Sequence, residues 1–265
     1  MTLERAPVRL VDWWRGYRKS HATFPFEISY HPRSDEHSKI LCAYVLEDFV
    51  ATCESLRRDA LNGDVCYDVN HEVFRQDGTK KVLDLVIGQP ERPLTGEGIR
   101  KGTVATPGIR IALEAKAAMT KHVSAIPRLR DELTGSMRSA VEANPHAVTC
   151  GITVVNIASS FLSPTDQKDP LPTDTSALRR RTHRQPTDAE RVIGMLERLP
   201  IRHDPPDVGF DAMGIIVVSH DNELPDPGVT LIEAPPSPVR ASPRNCNSFL
   251  IEVCNKYSRR FGQRP

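Results

Sequence analysis

Three residues have types and spacing that could do chemistry together: Asp84, Glu114 and Lys116. Glu114-Ala115-Lys116 closes a run that begins apolar at Ile109 and turns charged at Glu114. In a strand alternate side chains share a face, so Glu114 and Lys116 project to one side and Ala115 to the other. Asp84 interrupts the run Val82-Leu83-Asp84-Leu85-Val86-Ile87, where a buried carboxylate is costly unless it has a partner. If the two strands are neighbours, Asp84 and Glu114 meet across the ladder with the Ala115 carbonyl close by. Three oxygen donors of this kind suit Mg²⁺, with Mn²⁺ as a substitute, because magnesium takes oxygen ligands and is commonly held by one or two carboxylates plus substrate phosphate. Lys116 would then stabilise charge growing on phosphoryl oxygens, or orient or deprotonate an attacking water. The chemistry this predicts is phosphodiester hydrolysis, in which metal-bound water makes a covalent protein nucleophile unnecessary.

These residues need elements to position them. A first helix is expected over 38–61, from Leu41, Val45, Phe49, Cys53 and Leu56 at helical intervals, with Asp35 or Ser38 as cap. It carries Glu47, the candidate for a further catalytic carboxylate, beside Asp48. Residues 65–74 and 82–87 read as two strands joined by an Asp77-Gly78 turn. A Gly- and Pro-rich loop over 89–108 precedes the strand 109–116. Leu129, Leu133, Met137 and Val141 then recur every fourth residue, and Pro127 suits a helix start. The run 147–157, rich in Val, Ile and Thr, has the character of a strand covered on both faces. Beyond it, 161–176 reads as a mobile loop, 188–199 as a helix, 213–219 as a strand and 248–257 as a closing helix. The order implies an α/β fold with a mixed central sheet flanked by helices and C-terminal additions.

Asp84 followed by Glu114-Ala115-Lys116, downstream of an acidic helix, resembles the PD-(D/E)xK nuclease superfamily, which includes type II restriction endonucleases. The resemblance spans roughly 38–157. It implies a restriction-endonuclease-like core, Mg²⁺ dependence, and cleavage of double-stranded DNA that leaves a 5′-phosphate. Leu83 stands where that family carries proline. The expectation is a single nuclease domain over 1–265, in which 158–265 supplies DNA-recognition or dimerisation elements. A homodimer follows from cutting both strands, which needs two sites related by two-fold symmetry.

The E-x-K tripeptide alone is uninformative, since one arises about once by chance in a chain this long if each charged type is roughly 6% of residues. Its weight comes from its place at the end of an apolar strand. Thr120, Lys121 and His122 follow that strand and are candidates to touch the scissile phosphate, though polar residues before a helix are ordinary. Arg100 and Lys101 are further candidates for DNA contact. So is the run Arg179, Arg180, Arg181, His183 and Arg184, for which a merely solvated loop is the competing reading. A second basic stretch, Arg15, Arg18 and Lys19, lies beside Trp13, Trp14 and Tyr17. His37 and Ser38 read as helix-capping residues, with substrate contact as the competing reading.

The net charge of +1 neither demands nor excludes nucleic acid, because an acidic metal site offsets a basic DNA face. With 39% hydrophobic and 26% charged residues the composition is that of a soluble globular chain, and 22 prolines suggest many irregular connections. No apolar run long enough to span a membrane occurs, and residues 1–9 lack a signal-peptide core, so the expected location is cytoplasmic. The six cysteines lack the C-x-x-C spacing of a metal or redox site and are expected to be free buried thiols. Two further readings share this sequence: a less specific defence or repair nuclease of the same fold, and a non-catalytic DNA-binding or scaffold protein whose acids are structural.

Overall fold

The computed structural model describes residues 5–17, 34–75, 77–164, 178–223 and 227–262. Its centre is a six-stranded mixed sheet formed by β1 (Cys66–Phe74), β2 (Lys80–Pro90), β3 (Val104–Ala118), β4 (Val148–Asn156), β7 (Ala212–His220) and β8 (Val229–Leu231), in that spatial order. The β1–β2 and β2–β3 pairs are antiparallel, β3–β4 and β4–β7 parallel, and β7–β8 antiparallel. The parallel pair β3–β4 requires a crossover, and α4 (His122–Ala143) provides it. Every residue of β4 is buried, as its uncharged, β-branched sequence predicts for a strand covered on both faces.

The sheet separates two layers of helices. On one face α1 (Ala6–Gly16), α2 (Glu36–Thr52), α3 (Glu54–Leu61) and α6 (Cys246–Phe261) bury Leu10, Trp14, Leu41, Phe49, Phe249 and Tyr257 against the sheet. On the other, α4 and α5 (Thr187–Glu197) contribute Leu133, Met137, Val192 and Leu196. A mixed sheet flanked by helices is thus the architecture, in agreement with the sequence. No helix among the described residues is long and apolar enough to cross a membrane.

Several local expectations are corrected. The helix expected over 38–61 is two helices, because Cys53 adopts an extended backbone (ψ 99°) between α2 and α3. Asp35 is the residue before α2 but its side chain makes no cap bond; Ser38 Oγ instead donates to the Asp35 carbonyl at 2.8 Å. Helix α4 begins at His122, so Pro127 lies inside it. Pro127 cannot donate to the carbonyl of Val123, which is an exposed residue. Within 161–176, Ser160–Pro164 forms strand β5, and 165–176 falls outside the described residues. The arginine run belongs to strand β6 (Leu178–Thr182), antiparallel to β5. Cys53 and Cys254 form a disulfide across 201 residues of sequence, so these two are not free thiols; Cys42, Cys66, Cys150 and Cys246 are free. No short spacing marks the pair, because only the packing of α6 against the α2–α3 junction brings it together.

Candidate active site

Strands β2 and β3 carry the three residues, and the place where their ladder ends shapes the site. The paired register runs to Leu85↔Leu113 and stops one residue short of Asp84 and Glu114. There a side chain replaces the backbone partner: the Ala115 N–H donates to Asp84 Oδ2 at 2.9 Å. The alternation of β2 also slips at this residue. Leu85 and Ile87 pack in the α2-side core, whereas Leu83 and Val86 pack in a cluster with Ala140 of α4. On β1 the residue between the partners of Leu85 and Leu83 is Asn70, with φ +55°, a left-handed conformation uncommon outside glycine and best tolerated by Asn or Asp. Irregular backbone of this kind concentrates at functional sites.

Glu114 and Lys116 share a face, and Leu113 and Ala115 pack into the opposite core, as strand periodicity requires. The Lys116 ammonium bridges the two acids, 2.5 Å from Glu114 Oε1 and 3.3 Å from Asp84 Oδ2. Glu114 is 3% exposed, against 21% for both Asp84 and Lys116. Its second oxygen, Oε2, is buried with no hydrogen-bond partner. Burial, and then the charge of Asp84, push the Glu114 carboxyl above the ordinary range despite the opposing pull of Lys116. Burial works against the Lys116 charge, but Glu114 and Asp84 outweigh it and raise its pKa, so the ammonium stays charged.

The donor set suits a hard divalent cation. Two carboxylates converge, one buried carboxylate oxygen has no partner, and an unpaired buried acceptor is costly unless something binds it. Among the described residues no group of three or more His, Cys, Asp or Glu side chains gathers. The Ala115 carbonyl and substrate phosphate oxygens would therefore have to complete the coordination of Asp84 and Glu114.

The remaining sequence candidates are dispersed. Glu47 lies on the rim of a groove that also contains Asp84, but it is 55% exposed and its carboxylate pairs with Arg9 of α1. Its neighbour Asp48 is buried and accepts from the Ala6 N–H and from Arg9, docking α1 on α2. Lys121 is exposed at the start of α4 and Thr120 half-buried beside it. His122 is buried: its Nε2 lies 2.6 Å from the Asn156 carbonyl and its ring meets His183 edge-on at 4.8 Å. It is thus enclosed by protein, and burial lowers its pKa. Arg100 folds back onto the Glu97 carbonyl over Gly96, whereas Lys101 is exposed. Arg180 forms a two-pronged pair with Glu223, Arg181 is half-buried, and Arg184 is exposed with its backbone N–H bonded to Asp188. Arg179 lies on β6, and Arg18 and Lys19 fall outside the described residues.

Two residues near the site were not assigned to it from the sequence, which read His37 as a helix cap. His37 is buried on α2 and senses both Lys116 and Asp84; burial is the main cause that lowers its pKa to about 4. The available signal was its placement four residues before Leu41, on the core-facing stripe. Thr153, in register with Lys116 on the neighbouring strand, is fully buried with an unpartnered hydroxyl. No protein-family model matches the chain, and no curated protein matches it. Among solved structures it is similar to NucC of E. coli MS115-1 in its cAAA-bound form, at 11% identity and a TM-score of 0.31, over 84% of this chain and 90% of that chain. Similarity at that level does not bear on the reading of the site.

Proposed function

We propose that this chain is a magnesium-dependent endonuclease that hydrolyses phosphodiester bonds in double-stranded DNA, of the restriction type and acting as a homodimer. The observation that carries the reading is the convergence of Asp84, Glu114 and Lys116 where the β2–β3 ladder ends, with one buried Glu114 oxygen unpartnered. A purely structural ion pair would be expected to satisfy both oxygens of so deeply buried an acid.

Asp84, Glu114 and the Ala115 carbonyl would hold the metal. When bound, Mg²⁺ would polarise a phosphoryl oxygen and lower the pKa of its water. The chain's own contribution is positioning. The Ala115 N–H fixes the Asp84 carboxylate, and Lys116 presents a fixed positive charge from a partly buried stem, where it opposes charge growing on the phosphoryl oxygens more strongly than in bulk water.

The deciding experiment is plasmid cleavage with and without Mg²⁺, comparing the native chain with Lys116→Ala and Asp84→Ala at matched folding by circular dichroism. Cleavage abolished by chelator and reduced roughly a hundredfold or more in both variants is expected. Discrete fragments would report sequence specificity and a smear a less specific nuclease. Absence of cleavage by the native chain would leave a binding or scaffold protein, and cleavage surviving both substitutions would remove the site assignment.

A further inference from the structure

Beside Asp84 a groove of about 680 Å³ runs between α2 and the β1–β2 edge of the sheet. Its walls are mainly apolar: Cys42, Leu46 and Val50 from α2 face Tyr67, Val69 and Leu85 from the strands. Basic side chains, Lys39, Arg57 and Lys101, stand around it, Lys39 paired with Asp35. The two carboxylates that reach it are Asp84 and Glu47, and Glu47 is neutralised by Arg9.

We propose that this groove receives unpaired nucleobases of the strand being cut, so that the preferred substrate is duplex DNA with unpaired nucleotides next to the scissile bond. The inference rests on the nuclease reading and departs from its restriction-type form, which cuts a fully paired site. A cavity of this size is that of a small-molecule site and has room for unpaired bases. Apolar walls with an aromatic ring suit the faces of bases, and a basic surround suits their phosphates; grooves that hold single strands combine these two features. Phosphates alone would need no apolar trough. Asp84 is part of the lining while Glu114 and Lys116 are not, so a base seated here would set its phosphodiester at the Asp84 edge of the cluster. Taking a base out of the stack costs least where its pairing is already absent.

The test uses the full chain in chelator, so that binding is read without cleavage. Fluorescence anisotropy compares a labelled, fully paired duplex with the same duplex carrying a two-nucleotide bulge, in which 2-aminopurine reports stacking. The bulged duplex should bind at least tenfold more tightly and its 2-aminopurine should be quenched. Ala43 and Ala51 are exposed residues of α2 that line the groove, so Ala43→Trp and Ala51→Trp fill it without entering the core. Both should bring bulged-duplex affinity down to that of the paired duplex, whereas Ile251→Trp, on the exposed face of α6, should keep the preference. Equal binding of the two duplexes by the native chain, or a preference that survives both groove-filling variants, overturns the proposal. Mg²⁺-dependent cleavage of paired plasmid by the native chain is measured alongside. Cleavage without a bulge preference removes the groove assignment and spares the nuclease, while a groove-dependent preference without cleavage of either DNA does the reverse.

Discussion

Glu114 combines near-complete burial with an unmade hydrogen bond, and its two costs fall on opposite sides of a stability and activity balance. As a buried carboxylate with a raised pKa it destabilises the fold at neutral pH, because ionisation is harder in the folded chain than in the unfolded one. Glu114→Gln removes that charge at nearly constant shape and leaves Lys116 its Asp84 partner. The expected outcome is a metal-free protein at least as stable as the native one in urea titration at pH 7, with cleavage reduced roughly a hundredfold or more. A marked loss of stability would mean that Glu114 serves as a structural partner of Lys116. His37 offers a second probe. Its depressed pKa means that its stabilising neutral form is fully present above the ordinary value near 6.5 and is lost as pH falls toward about 4. His37→Gln should flatten the pH dependence of the urea midpoint across that interval. The clustering of Asp84, Glu114 and Lys116 was legible because each member broke an apolar pattern. His37 and Thr153 were not, because each suits an ordinary place on a helix or strand and only tertiary packing brings them to the site.

The strands and most helices could be read from apolar runs and periodicity, since β2, β3, β4 and β7 owe their form to burial. Elements whose existence depends on a partner could not. β6 carries consecutive arginines and becomes a strand through its pairing with β5 and the link from Arg180 to Glu223. In α1, Leu10, Val11 and Trp14 face the core behind Pro7, yet its aromatics sit beside basic residues and resemble a surface patch. The break at Cys53 has no glycine or proline to announce it. Its disulfide to Cys254 ties the α2–α3 junction to α6, and closing a loop of 201 residues constrains the unfolded chain. Reduction, or Cys254→Ser, should lower unfolding free energy by about 2–4 kcal/mol. Denaturant titration with and without a thiol reductant reads this, and identical midpoints would show that the bond adds nothing to stability.

At the scale of the whole molecule, a buried ionic centre fastens elements distant in sequence. Asp211, just before β7, has its carboxylate fully buried and accepts from Arg202 Nη2 at 2.8 Å, from Arg260 Nη1 at 2.9 Å and from the Thr149 N–H at 2.8 Å. It thereby joins the loop after α5, the C-terminal turn of α6 and the start of β4. Burial alone would raise the Asp211 pKa, but the hydrogen bonds from Arg260 and Arg202 outweigh it and hold the carboxyl below the usual range. For an acid with a depressed folded-state pKa, the linked stability is complete above the unfolded value of about 3.9 and disappears as pH falls through the folded value. Acid unfolding should therefore steepen below about pH 4. Asp211→Asn keeps the shape but removes the titrating charge and leaves two buried guanidinium groups without their anion. At pH 7 it should cost about 3–5 kcal/mol, the penalty for breaking a buried pair from one side. The difference between native and variant urea midpoints should hold steady from neutral pH to about pH 5 and then shrink with further acidification. A difference that stays constant through acid pH would mean that Asp211 acts through its neutral hydrogen bonds, and that the centre joining these elements is not held by charge.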